Sequence, residues 1–310
     1  MNCRNLLTAL VLSVLATLAG LSLPGIADAQ TKKILFLSGP KDHGGPGRHE
    51  YERDLRTLAR SFEAASNLSG VETEVIVGRI PRDLKAVEDA AVIVINSSSD
   101  RHEKEIHPLF PPDPMTNGRG YDDETSAYLK RLDELIKQRK IGVVIFHYAL
   151  WAENWRAREL YLDWTGGLWV QIGSKNPVDE WSMTLENKGH PILRGVKPWT
   201  YRDEVFSRFF LPTDARRTNL LLGTPKQDTA KIGPQTVAWA YERDDGGRGF
   251  VFGGVDFHDN MALEDYRRFL LNGIAWAAHI DIPPAGIQSP PPDLSVAPAV
   301  TAPRTAQRFD

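Results

Sequence analysis

Apolar residues along this chain fall into short unbroken runs separated by stretches with helical spacing. Ile34-Leu35-Phe36-Leu37 follows Lys32-Lys33 and is stopped by Ser38-Gly39-Pro40. Ala91-Val92-Ile93-Val94-Ile95 and Gly142-Val143-Val144-Ile145-Phe146-His147 have the same character. Runs apolar at every position suit strands covered on both faces, as in a parallel sheet. A further strand is expected over residues 71–77. Between these runs, Tyr51 to Ala65 places Leu55, Leu58, Ala59, Phe62 and Ala65 on one helical face, and Asp123 to Lys137 does the same with Tyr128, Leu129, Leu132, Leu135 and Ile136. Asp83 can cap a short helix ending at Glu88. The alternation of strand and helix predicts an α/β fold with right-handed crossovers.

The second half reads differently. Leu160 to Leu222 is rich in Trp, Gly and Pro, and is expected to form loops and short antiparallel pieces decorating the carboxyl edge of the sheet. Residues 235–241 and 248–253 predict a hairpin turned by Asp244-Asp245-Gly246-Gly247. Leu263 to Ile280 predicts a closing helix. From Pro283 onward, prolines crowd and apolar residues thin, which predicts a disordered tail over 283–310.

The start of the chain carries a targeting pattern. Arg4 precedes an apolar stretch from Leu6 to Leu23, and Ala27-Asp28-Ala29 fits a signal-peptidase site. Residues 1–29 are thus expected to be a signal peptide cut near Ala29. The mature protein would be periplasmic or secreted, with its folded domain over 30–282 and no membrane association. Cys3, the sole cysteine, lies inside that signal. The mature chain then has neither a disulfide nor a thiol nucleophile. The formal net charge of −3, with both signs interspersed, argues against nucleic acid as a partner. Eight tryptophans suit a thick core, or a pocket that stacks on the flat faces of sugar rings.

Candidate chemistry gathers at strand ends. In open α/β sheets ligands bind where the carboxyl ends of the strands open. His147 ends one apolar run and is followed by Trp151 and Trp155. Asp256 and His258 follow the last run in Gly253-Gly254-Val255-Asp256-Phe257-His258-Asp259-Asn260. His49 stands at the end of the glycine-rich loop Lys41–Arg48, as a ligand or as a packed cap. Glu204 falls in a segment expected to reach the same edge. His147, His258 and Glu204 are the candidate acid/base residues. His49, Trp151, Trp155 and Asp256 are the candidate substrate contacts. The cofactor is left open. If it is a divalent metal, its ligands would come from His49, His147, Glu204 and His258. His43, His102 and His107 lie in polar loops and are expected to be solvated, His279 is expected at the surface, and His190-Pro191 reads as a rigid turn. Neither Gly-x-Gly-x-x-Gly nor Gly-Lys-Ser/Thr is present, which disfavours nucleotides. The absence of Gly-x-Ser-x-Gly disfavours a serine hydrolase.

Taken in order, the motifs resemble the ThuA-like (trehalose utilisation) family. They are His43 through Tyr51, Gly142 through Ala149, Gly166-Gly167, His190-Pro191-Ile192, Asp203-Glu204, Gly253-Gly254 with Phe257 to Asn260, and Phe269 through Ala277. The resemblance implies a flavodoxin-like fold of the class I glutamine-amidotransferase-like superfamily, mostly parallel with helices on both faces. It also implies a small carbohydrate as partner, trehalose and keto-sugars included. Amidotransferase activity is excluded, because that reaction needs a cysteine where this chain has His147. The expectation is thus an enzyme doing isomerase, lyase or hydrolase chemistry on a keto-sugar or glycoside. The alternative is a non-catalytic periplasmic carbohydrate-binding module. Homo-oligomerisation stays open.

Overall fold

The computed structural model describes residues 31–101, 106–111 and 121–295. The expected signal peptide and His102 lie outside them. In chain order the strands are β1 (Lys32–Ser38), β2 (Val71–Val77), β3 (Ala90–Asn96), β4 (Gly142–Phe146), β5 (Val178–Leu185), β6 (Trp199–Glu204), β7 (Arg217–Pro225), β8 (Gln235–Glu242) and β9 (Arg248–Phe252). The helices are α1 (Tyr51–Glu63), the short α2 (Lys85–Glu88), α3 (Asp123–Gln138), α4 (Trp155–Thr165) and α5 (Glu264–Ala277).

All nine strands form one sheet, ordered β2-β1-β3-β4-β9-β8-β7-β5-β6. Its first five strands are parallel. Their order is the 2-1-3-4-5 arrangement of flavodoxin-like folds. The doubly apolar runs account for this half. Phe36, Val94, Val144 and Phe250 point to a core shared with α1 and α5. Leu35, Ile93, Ile145 and Val251 point to a second core under α3 and α4. A strand buried on both sides needs apolar residues at every position.

The segment expected to decorate the edge does more than that. β5, β7 and β8 continue the same sheet antiparallel beyond β9, with β6 outermost. In β5 the side chains of Asp179, Trp181 and Met183 are buried while Glu180, Ser182 and Thr184 are exposed. One wet face permits that alternation. The expected hairpin is the β8–β9 pair.

Asp122 caps α3 by accepting the Thr125 N–H at 2.7 Å, and Asn154 caps α4 by accepting the Arg156 N–H at 2.8 Å. α5 can cross β9 only because residue 273 is glycine: a Cβ there would sit 2.0 Å from the Phe250 ring. Beside it Asn272 donates to the carbonyls of Ile192 and Arg194. The Asn272-Gly273 motif is therefore structural.

Residues 283–295, expected to be disordered, instead lie against the body. Ile287 is 1% exposed, and its N–H donates to Asn272 Oδ1 at 2.9 Å. Asn67 bonds Gly286 and Gln288, Arg267 bonds Ser289, and Arg53 bonds the Leu294 carbonyl. Prolines forbid helix and ladder, but they leave side chains and carbonyls free to dock on a neighbouring surface. Residues 296–310 lie outside the described residues. Among the described residues no helix is long and apolar enough to cross a membrane.

Candidate active site

Four adjacent strands, β1, β3, β4 and β9, end on the same edge of the sheet, and the segments leaving them meet there. One donor atom each of His49, His147 and Asp256 lies within 4.8 Å of the other two. His49 comes from the loop after β1, His147 from the end of β4, and Asp256 from the turn after β9. The imidazole centroids of His49 and His147 are 5.1 Å apart, and His49 Nε2 is 3.4 Å from Asp256 Oδ1. All three residues are buried.

The backbone is forced at these points. His49 and His147 both have φ of 50°, and Val255, a β-branched residue, has φ of 89°. Each such residue costs on the order of 1–3 kcal/mol and persists only when its surroundings hold it. At Val255 the hold is visible. The buried carboxylate of Asp203 accepts the N–H groups of Val255, Asp256 and Phe257 at 3.0–3.2 Å. Gly253 has no room for a side chain, since a Cβ would lie 2.2 Å from the Phe206 carbonyl oxygen.

Hydrogen bonds fix where the protons are. His147 Nδ1 faces the Gly253 carbonyl at 3.3 Å. A carbonyl only accepts, so Nδ1 carries the hydrogen and Nε2 carries the lone pair. That Nε2 is buried and has no hydrogen-bond partner among the described residues. For His49 a relay sets the tautomer. The Asp42 carboxylate is held below its ordinary range by bonds from His43 and Ser98, against the opposing effect of burial. It therefore accepts from Ser98 Oγ at 2.5 Å. Ser98 Oγ, its hydrogen committed, accepts from the Tyr51 hydroxyl at 3.3 Å. Tyr51 then accepts from His49 Nδ1 at 3.1 Å, which leaves His49 Nε2 bare as well.

Burial, and for His49 also the neighbouring His147 ring, pushes both imidazoles down to about 3. They are uncharged at neutral pH. Asp256 Oδ2 accepts from Arg48 Nε at 2.6 Å, and the other arm of Arg48 pairs with Glu204. Glu204 also accepts from Asn176, and burial raises its carboxyl above the usual range.

His147, His49 and Asp256 thus converge, and other expected site residues do not join them directly. His258 is turned away: its Nδ1 meets Asp54 at 2.7 Å in a separate buried pair. The 3-10 turn His258–Ala262 begins at this residue, and its ring is bonded to α1 through Asp54. Among the described residues Glu204 is bonded to no imidazole, and Arg48 links it to Asp256. Trp151 is nearly buried, packed on Trp169 and Tyr148. Trp155 opens α4 and is 54% exposed. Instead the aromatic wall beside His147 is Phe206 at 4.6 Å and the half-buried Tyr148. His43, expected in solvent, is exposed, yet its ring packs 4.0 Å from that of His49.

Arg48, Tyr51, Asp42 and Ser98 were not expected as site residues. The first three lie in or beside the glycine-rich loop, which signalled a site without showing which side chains would turn inward. Ser98 gave no signal of its own.

His107 overturns its expectation of solvation. It is 1% exposed and stacks on Phe110. Its Nδ1 accepts the N–H groups of Leu109 and Phe110, while Nε2 donates to Tyr161. Burial lowers its pKa to about 3. Between that value and about 6.5 the unfolded chain binds the extra proton, so this contribution is present above pH 6.5 and is lost as pH falls. In His107→Gln, which cannot take the proton, the stability deficit relative to wild type is expected to shrink by about 1.4 kcal/mol per pH unit between pH 6 and 4. Urea unfolding of both proteins across that range checks it. A deficit independent of pH would contradict the assignment.

The architecture is that of an α/β protein whose polar residues converge on the carboxyl edge of a flavodoxin-like sheet. The chain belongs to the family described as trehalose utilisation (ThuA), whose sequence pattern matches residues 116–277, just over half of it. That description links it to carbohydrate use. No curated protein matches the chain. Among solved structures it is similar to a glutamine amidotransferase from Thermotoga maritima, at 9% identity and TM-score 0.42 over 80% of this chain and 99% of that one. The glutaminase domain of Trypanosoma brucei CTPS with bound acivicin matches at 10% identity and TM-score 0.40 over 83% and 98%. A glutamine amidotransferase from Methylobacillus flagellatus matches at 11% identity and TM-score 0.35 over 73% and 70%.

Proposed function

We propose that this protein is an enzyme acting on a carbohydrate, at a carbonyl or acetal carbon brought to the edge formed by β4 and β9. The chemistry is that of an isomerase, lyase or hydrolase of keto-sugars or glycosides. The observation that carries this reading is the bare Nε2 of His147. Buried nitrogens are almost always paired, and one left unpaired beside a second imidazole and an anchored carboxylate marks a reacting centre rather than a packing solution. Being neutral, both rings offer electron pairs to a substrate proton or to an electrophile. Tyr148, half-buried and against His43 and Trp151, gives the flat surface on which a sugar ring would stack. On this reading the sugar would stack on Tyr148 rather than on the expected Trp155.

The test is turnover of a panel of keto-glycosides and disaccharides by the wild-type chain, with sugar binding measured in parallel on wild type and His147→Ala. Turnover by wild type that is lost in the variant, with binding retained, supports the enzyme. Binding without turnover by either protein would leave a carbohydrate-binding module.

A further inference from the structure

The relay and the Gly253 contact have a joint result. His49, His147 and Asp256 bring one ligand atom each within 4.8 Å of the other two; Nε2 of either imidazole carries no hydrogen, and Asp256 Oδ1, 3.4 Å from His49 Nε2, accepts only the His49 backbone N–H, at 3.2 Å. Three electron-rich atoms held together in a buried site repel one another unless something positive lies between them. The Arg48 guanidinium does not fill that role, since it is spent on Asp256 Oδ2 and Glu204. The loop cation Lys41 is committed to Glu50. His43 is tied through Nδ1 to Asp42.

We infer that His49, His147 and Asp256 are the ligands of a divalent first-row transition-metal ion, zinc or a close analogue, with at least one coordination position left for water or substrate. Two imidazoles and one carboxylate select such ions over magnesium or calcium, which prefer all-oxygen sets. Three protein ligands with a free position are the pattern of catalytic zinc, whereas structural zinc takes four. The 3.4 Å between His49 Nε2 and Asp256 Oδ1 is about the separation of two ligands around a tetrahedral ion with bonds of ~2.0–2.2 Å.

Each ligand is also backed as metal ligands are. The second nitrogen of His147 donates to a carbonyl, that of His49 to the Tyr51 hydroxyl, and the second oxygen of Asp256 accepts from Arg48. This names the electrophile of the site described under the proposed function and rests on that reading for its use in catalysis.

Metal content of the full chain tests the site without an activity assay. Wild type stripped by chelator and dialysed against zinc is expected to retain about one equivalent. Cobalt(II) in its place should give visible d–d absorption of a low-coordinate N/O site. His147→Ala is expected to lose affinity by at least ~100-fold. Tyr51→Phe leaves the ligands in place and removes the relay, so it should weaken binding by about 10-fold, and it keeps the test valid if the alanine variant does not fold. Retention below about a tenth of an equivalent by wild type, or retention by His147→Ala equal to wild type, would overturn the inference. So would sugar turnover by the stripped, metal-free chain, which would leave the enzymatic reading standing. One bound equivalent with no turnover of any sugar would uphold the metal site and remove the enzymatic reading instead.

Discussion

Replacing His147 by alanine is expected to lower turnover on the order of a thousandfold, with sugar affinity changed no more than a few-fold. The size follows from what the ring does. It is 0% exposed, so it adds little contact area for a sugar, yet its Nε2 has no hydrogen-bond partner among the described residues. Losing a positioned proton acceptor or ligand costs ~10²–10⁴ in rate. Because the ring also packs on Phe206, a thermal midpoint must accompany the kinetics. A folded variant within tenfold of wild-type turnover would refute the assignment. Alanine also stays strained at φ of 50°. His147→Gly should be as inactive but easier on the backbone, and a higher midpoint for glycine than for alanine would show that the strain resides in this residue.

Asp203→Ala is expected to have the largest effect on stability. The carboxylate is 0% exposed and holds three consecutive N–H groups, those of Val255, Asp256 and Phe257. Each donor left unpaired in the interior costs about 1–3 kcal/mol, so a loss of about 4 kcal/mol is expected on urea unfolding. The same change frees Val255 from its left-handed turn and lets Asp256 drift from the imidazoles. Activity should therefore fall even where the variant remains folded. Asp203→Asn keeps one acceptor and should lie between the two. A loss below about 1 kcal/mol for alanine would mean that the turn is held by something else.

Much of this architecture can be read from the chain. Strands β1, β3 and β4 are apolar at every position, and only a sheet covered on both faces tolerates that. The antiparallel half was harder to see. β5 alternates as Asp179, Trp181, Met183 against Glu180, Ser182, Thr184, but a buried aspartate breaks the apolar signal, and Gly and Pro on either side read as loop. His147, His49 and Asp256 were legible as groups delivered to strand ends. His258 looked equivalent and is not, because the 3-10 turn that starts there aims its ring at Asp54. The relay through Asp42, Ser98 and Tyr51 joins two loops and a helix distant in sequence, and no local spacing encodes such a meeting. His107 misled for a related reason: a polar loop suggests water, whereas Phe110 and Tyr161 close over this one.

The family pattern stops at residue 277, and the prolines suggest a boundary at 283, but the packed body runs on to 295. Ile287 is buried in the core and bonded to Asn272 of α5, while Asn67 and Arg53 fasten the final stretch to α1 and the loop that follows it. An expression clone trimmed to either apparent end would uncover apolar flank on both helices and cut the ties between them. Such a truncation should surface as aggregation and poor yield, easily mistaken for an intrinsically unstable protein.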